Sequence, residues 1–316
     1  MKFLAMDFGG TFVKHCIMDE DANMSERGEY PAPLESTELW VNTTVDLYNK
    51  YKGQVDGLAI SLPGVMDSET GFAHSGGAYM KTVQGHNIYE LLKDKIDVPV
   101  SIENDAKSAI LAEAWKGSLQ GVKTGCACIV GSGLGGGIIM DGKLQKGEHF
   151  ASGEISGLLT TPGDYTINGC AAFSAGTSAL LMMVASAKNM PVSDFEVSGF
   201  MAEGNDENKK KIGGKEVIQW VEDGDEVTKG VYEQWIKNLV LVLFNMKMMI
   251  DPQKIVVGGG ISRNPRFIKD LKEEWHKSES MLDMFGIPHA EVDVCKFTSD
   301  ANMVGAVYRW ILMYKH

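Results

Sequence analysis

Cysteine is scarce in this chain. Five among 316 residues (Cys16, Cys126, Cys128, Cys170 and Cys295) exclude a dense disulfide framework, and their odd number and spacing match no metal-ligand motif. Cys126 and Cys128 stand at period two in an apolar run, as small buried fillers do. Long hydrophobic runs are lacking as well. The longest, 239–250, is interrupted by Asn245 and Lys247, short of the roughly 20 apolar residues that a spanning helix needs. Positive charge is in deficit: 30 Lys and Arg against 42 Asp and Glu leave a net charge of −12. That balance argues against a nucleic-acid surface or an anionic membrane as partner. It still leaves room for a nucleotide, because a few backbone amides and one lysine can hold phosphates locally. The stretch ahead of Asp7 has one lysine and five apolar residues, too little for a secretory leader. The expectation is a reduced, cytoplasmic protein.

Glycine, by contrast, is plentiful and clustered. Residues 2–18, KFLAMDFGGTFVKHCIM, read as an apolar strand, a glycine turn and a second apolar strand. Residues 126–144, CACIVGSGLGGGIIMDGKL, repeat that plan, which suggests a duplicated fold holding a nucleotide between its halves. Gly131-Ser132-Gly133-Leu134-Gly135-Gly136 also fits the literal dinucleotide string G-x-G-x-x-G. That fingerprint requires a helix after the glycines, whereas here an apolar run and Asp141-Gly142 continue as a hairpin. Such a turn still binds phosphate through its backbone amides, or is simply a tight turn with no ligand.

Elsewhere strands alternate with helices, so the class is α/β. Helical patterns are predicted over 39–51, 87–95, 177–188, 215–222, 225–249, 265–276 and 300–314. Strands are expected at 55–62, 254–257 and 291–297, and 192–214 is a polar, charged region. Pro63-Gly64 with Gly71, Gly76 and Gly77 marks a loop-rich stretch. In the last helix, Ala301, Gly305 and Ala306 are small enough for close packing.

The stretch VPVSIENDAKSAILAEAWKG, 98–117, is the centre of the reading. A buried strand ends in Glu103, Asn104 and Asp105, and strong helix formers follow. Carboxylates at a strand end, at the mouth of a helix, lie where open α/β sheets place ligand chemistry. Asp105 is either a functional carboxylate or the N-cap of that helix.

Taken together, four segments resemble the ROK sugar kinases, within the actin-like ATPase superfamily. Asp7-Phe8-Gly9-Gly10-Thr11-Phe12-Val13-Lys14 is similar to that family's first phosphate motif, and Glu103-Asn104-Asp105-Ala106 to its catalytic motif. Gly131 to Gly137 resembles the second phosphate motif, and Ile255 to Ser262 the adenosine motif. Gly213 to Glu226, with its G-K-E and G-D-E landmarks, fits the helical approach to the latter. The resemblance implies two actin-like (ribonuclease H-like) lobes, residues 1–117 with the helix 300–316 and residues 118–299, with a nucleotide and sugar cleft between them. It implies transfer of the γ-phosphate of ATP to a sugar hydroxyl, the 6-hydroxyl by family expectation, with Asp105 as general base. An ordinary aspartate, with a pKa of about 3.9, is ionised at neutral pH and can take that proton.

The same resemblance puts Asn104, Glu154, Gly64, Gly76 and Gly77 on the sugar side. Gly9, Gly10, Thr11, Gly131, Ser132, Gly133, Gly135, Gly136, Gly258, Gly259 and Gly260 fall on the ATP side. Lys14 either approaches the phosphates or stays solvated on its hairpin. Asp7 would hold Mg²⁺ through water, or else be a turn residue shielding the strand end. Two departures stand out. The family's G-E-x-G-H is here Gly153-Glu154-Ile155-Ser156-Gly157, and its cysteine-rich loop keeps only Gly169-Cys170, with Ala172 where a sugar-binding glutamate is usual. One cysteine and no histidine cannot make a four-ligand site, so no structural zinc is expected. A zinc-less branch similar to β-glucoside kinases lacks the same features. The partners implied are a small sugar and ATP, with homodimers frequent among similar proteins. A non-catalytic sugar sensor or a regulator of the same family is the alternative, but little chain precedes Asp7 to carry a DNA-binding segment.

Overall fold

In the computed structural model, residues 1–197 and 211–315 are described, so part of the polar region 192–214 lies outside the described residues. The chain forms two compact units: 1–120 with 144–152 and 299–316, and 121–143 with 153–298. The first unit opens with β1 (Lys2–Phe8), β2 (Phe12–Asp19), β3 (Met24–Pro31), α1 (Thr37–Tyr51) and β4 (Gly57–Leu62). A small hairpin, β5 (Met66–Asp67) and β6 (Phe72–Ala73), comes next, followed by α2 (Ile88–Leu92), β7 (Val100–Asn104) and α3 (Asp105–Lys116).

The second unit carries β8 (Gly125–Val130), β9 (Leu134–Met140) and β10 (Lys143–Leu144), then α4 (Ala172–Ala175) and α5 (Thr177–Ala187). It continues through α6 (Gly214–Glu222), α7 (Glu226–Ile250), β11 (Lys254–Gly258), α8 (Pro265–Met284) and β12 (Glu291–Val294). Helix α9 (Ala301–Tyr314) returns to the first unit.

The duplication expected from the two glycine hairpins is present in the topology. One sheet runs β3-β2-β1-β4-β7 and the other β10-β9-β8-β11-β12. In each, an antiparallel hairpin (β1 with β2, β8 with β9) adjoins a parallel pair of strands. A strand, β9, follows the second glycine turn, as the hairpin reading requires and a dinucleotide fold forbids.

Central strands are apolar throughout because both faces are covered. All six residues of β4 are buried, and Phe3, Leu4, Ala5 and Met6 of β1 are fully so. Phe3, Leu4 and Met6 each contribute about 1.5–3 kcal/mol on leaving water. Cys126 and Cys128 are buried fillers as expected, and burial pushes both thiols up to about 12. Helix α9 lies against α3 through Gly305, where an added Cβ would meet the Ser108 carbonyl oxygen at 1.6 Å.

Some boundaries differ from the sequence expectation. Strand β3 was not expected: MSERGEYP is polar and its residues are half-buried or exposed, so no apolar alternation marks it. Helix α2 is five residues rather than the span 87–95, with Asn87 as its cap. Helix α8 runs eight residues past His276, to Met284, its amphipathic stripe continued by buried Leu282. Among the described residues, no helix is long and apolar enough to cross a membrane.

Candidate functional site

In the first unit, β1, β4 and β7 are parallel, and their register sets Asp7 beside Ser61 and Ser61 beside Glu103. Polar side chains thus form a row at the carboxyl ends of the strands, where α/β sheets bind ligands. Asp7 is buried; its Oδ1 accepts from Ser61 Oγ at 3.1 Å and from Asn302 Nδ2 of α9 at 3.0 Å. Desolvation raises its pKa above the ordinary aspartate value, against the lowering effect of those hydrogen bonds and of Lys14. Lys14 pairs in register across the hairpin from Asp7.

The turn between β1 and β2 divides the residues assigned to it. The Gly9 amide donates to the Phe12 carbonyl at 3.0 Å, and the Gly9 carbonyl accepts from Tyr79 Oη at 2.8 Å. The Gly9 N–H therefore closes the turn. Gly10 and Thr11 are exposed.

At the end of β7 the N-cap is Asn104, not Asp105. Asn104 Oδ1 accepts from the Lys107 amide at 3.0 Å, while its Nδ2 donates to the Gly64 carbonyl at 2.9 Å and to Asp105 Oδ1 at 3.0 Å. Both amide hydrogens of Asn104 are thus engaged within the protein. Asp105 is the first helical residue and half-buried; its Oδ1 also accepts from the Ala106 amide at 2.8 Å. Those two bonds fix the plane of the carboxylate. Gly64, at φ +110°, lets this strand end and the 75–77 turn meet, since a Cβ there would sit 2.3 Å from the Ser75 carbonyl oxygen. Gly76 and Gly77 belong to that turn. Gly64, Gly76, Gly77, Asn104 and Asp105 are therefore gathered in one place.

Glu103 serves a purpose that local sequence does not reveal. It is 1% exposed; Oε2 accepts from Ser68 Oγ at 2.9 Å and lies 3.6 Å from Arg309 Nε and 3.7 Å from Lys146 Nζ. Lys146 also donates to Ser68 Oγ at 2.7 Å and pairs with Glu69 at 2.8 Å. Burying a carboxylate is costly unless it is paired and hydrogen-bonded. The two cations come from the loop after β10 and from α9, so only the folded chain brings them together.

The second unit holds the other residues. Gly131, Ser132 and Gly133 form the turn between β8 and β9, where Val130 pairs with Leu134. The carbonyls of Gly131 and Ser132 accept from the first two amides of α5, Thr177 and Ser178, each at 2.9 Å. Beside this turn opens a cavity of about 700 Å³, lined by Gly131, Ser132, the starts of α5, α6 and α8, and Gly260. Three helix N-termini at one cavity give it a partial positive potential suited to an anion. Arg263 and Lys215 add to it, and Glu196 and Glu216 oppose it.

Of the glycines assigned to nucleotide, Gly131 and Gly260 line this cavity. Gly258 and Gly136 instead pack tightly on protein, the first against Ile129 and Cys295, the second against Gly153 and Ile155. Gly259 has φ +94° over the Val130 carbonyl, and Gly135 lies within β9. Glu154 is half-buried at the head of the turn 155–157. Among the described residues, no three His, Cys, Asp or Glu side chains gather to hold a metal ion. The G-K-E landmark at 214–216 was the sequence signal for the α6 wall; Thr177, Glu196 and Asn264 carried none.

A profile of the ROK family matches residues 3–312. A β-glucoside kinase of Listeria monocytogenes is 28% identical over 325 residues, an alignment covering 98% of each chain. A ROK family protein from Streptococcus pneumoniae, solved in complex with sucrose, superposes with a TM-score of 0.85 at 24% identity, over 100% of this chain and 99% of the other. A ROK family glucokinase from Streptomyces griseus, in complex with glucose and AMPPNP, gives 0.74 at 22% identity, over 97% and 98%. These structural likenesses show that the chain shares the fold of the solved ROK proteins.

Proposed function

The chain belongs to the ROK family, and on that premise we propose that it is an ATP-dependent sugar kinase acting on the 6-hydroxyl of a hexose or glucoside, with Asp105 as general base. The observation that carries this reading is the position of Asp105. It stands at the first turn of α3, at the carboxyl end of β7, in the same unit as the row formed by Asp7, Ser61 and Glu103. A sugar hydroxyl is a weak nucleophile, so a carboxylate within hydrogen-bond reach accelerates its attack. Asp105 accepts the hydroxyl proton as the bond to γ-phosphorus forms and the bond to the bridging oxygen of ADP breaks. Its fixed plane supports that role, because a held carboxylate needs no reorientation at the moment of transfer.

Asn104, committed to Gly64, Asp105 and Lys107, holds the base in position and can accept from a sugar hydroxyl through the remaining lone pair on its oxygen. Glu154 is assigned to a further sugar hydroxyl. Gly10, Thr11 and Lys14 are assigned to the phosphates, and the cavity beside Gly131 and Gly260 to the nucleoside. Asp7 fits a magnesium ion held through water: burial destabilises its charge, and a neighbouring cation would restore it. When bound, that ion supplies positive charge to the phosphate oxygens.

The relative named for β-glucosides and the neighbour holding sucrose both favour a glycoside among the acceptors. Coupled ADP release over a panel of hexoses and glucosides tests the kinase reading. Asp105→Asn keeps the acceptor oxygen that binds Asn104 and Ala106, so the site should stay folded. Its kcat should fall by about 10²–10⁴ while sugar affinity stays within a few-fold. Turnover equal to the parent's removes Asp105 from the mechanism. Sugar binding without ADP release from any sugar favours a sensor.

A further inference from the structure

We propose that the rings of Phe72, His74 and Phe150 form a shelf beside the α3 N-terminus that stacks on the second ring of a glycoside acceptor. The substrate class is then hexosides carrying an aromatic or pyranose aglycone, in preference to free hexoses. This rests on the kinase reading above and narrows it.

The three rings belong to the first unit and form one continuous group. Phe72 meets His74 edge-on, with centroids 5.0 Å apart and planes at 73°; His74 lies nearly parallel to Phe150, at 5.7 Å and 21°. Edge-to-face and offset-parallel contacts are the arrangements that aromatic pairs favour, so the shelf is held before any ligand arrives. Yet it is not covered: Phe72 is 37% exposed, His74 is exposed and Phe150 half-buried. Exposed, preassembled apolar surface of this kind marks a place of contact rather than core.

Phe150 is held where an aromatic residue rarely goes. Its φ is +58°, in the left-handed region that suits glycine and asparagine. Backbone strain beneath a half-buried ring is an outlier that points to use. What holds it is Lys107, 2% exposed, whose ammonium donates to the Phe150 carbonyl at 2.7 Å. The amide of the same lysine is bound by Asn104 Oδ1.

On the other side, Ser75, next to His74, exchanges hydrogen bonds with Val65 (amide to carbonyl at 3.0 Å, and the Val65 amide to Ser75 Oγ at 2.9 Å). Val65 follows Gly64, whose carbonyl accepts from Asn104. Both legs of the shelf are therefore anchored to Asn104, the neighbour of the proposed base. A pyranose offers one face of C–H groups and a phenyl aglycone offers a whole ring; either packs on such a surface and keeps its hydroxyls in water. A free hexose reaching Asp105 has no second ring to place there.

The test compares phenyl β-glucoside with methyl β-glucoside by ADP release. The parent should prefer the phenyl compound at least tenfold in kcat/KM. Phe150→Asn removes the ring and suits the backbone at φ +58°, so the fold survives, and the preference should drop to within about twofold. His74→Ala should lower it in the same direction. Two results overturn the shelf while leaving the kinase: a parent with no preference, or ADP from both glucosides in a ratio that neither variant changes. No ADP from any glucoside or hexose overturns the kinase reading, and this inference with it.

Discussion

Replacing Gly305 with alanine adds one methyl group at the contact between α9 and α3. That Cβ would sit 1.6 Å from the Ser108 carbonyl oxygen and 2.8 Å from its Cα, roughly 1.8 Å inside an ordinary contact. The obstacle is helical backbone, which no rotamer change can clear, so α9 itself must move. It carries Val304, Val307 and Trp310 into the core, and Trp310 donates its Nε1 hydrogen to the Pro99 carbonyl at 2.8 Å. Overpacking costs about 1–3 kcal/mol and sometimes more; the better helix propensity of alanine returns only about 1 kcal/mol. A displacement this large belongs at the upper end, so the net loss should be about 2–3 kcal/mol, a fall of roughly 5–10 °C in Tm for a unit of this size. Because Asn302 on the same helix donates to Asp7, activity should fall as well. Thermal unfolding followed by tryptophan fluorescence, with ADP release alongside, reads both effects. Gly230→Ala is the control, since that exposed position in α7 has nothing within 4 Å of the added Cβ. It should be neutral or gain up to about 1 kcal/mol. A Gly305→Ala protein melting within 2 °C of the parent, or a control as damaged as the variant, refutes the close-packing argument.

Asp7→Asn tests the buried carboxylate. Burial raises the Asp7 pKa above 3.8, so the folded protein holds that proton more tightly than the unfolded chain. Its stability therefore falls as pH rises through the window from about 3.8 to the raised value. The asparagine variant lacks that loss and should melt higher than the nucleotide-free parent at pH 7, with the gap closing as pH approaches 3.8. Its KM for MgATP should rise, and a variant no more stable at pH 7 than at pH 4 relative to the parent counts against a destabilised charge. Gly260→Phe projects a ring where nothing lies within 4 Å of the Cβ, beside the second unit's cavity. It should raise the KM for ATP at least tenfold while the sugar KM changes little; an unchanged nucleotide KM moves the nucleoside elsewhere.

Much of the fold is written in local pattern. Apolar runs broken by Gly9-Gly10 and by 131–133 specify two hairpins, because a run that turns through glycine and resumes has few other ways to bury itself. Helix α7 and the small-residue face of α9 were legible for the same reason. Strand β3 was not, since an edge strand with both faces wet needs no hydrophobic signal. Which residue caps α3 was also closed to sequence. Asn104 and Asp105 are both good caps, and only the position of Gly64, forty residues earlier, shows which side chain turns back onto the helix.

The order of motifs and the alternation of strand and helix thus came from the chain alone, because they depend on neighbours within a few residues. Which carboxylate is buried, and with what, was decided by tertiary structure. Glu103 is accommodated in the interior because Lys146 and Arg309 arrive from distant segments to pair with it. The Asp7 row exists because three strands stop at one level. Electrostatic and packing energies of this kind depend on distances through space, and a linear sequence does not carry those distances.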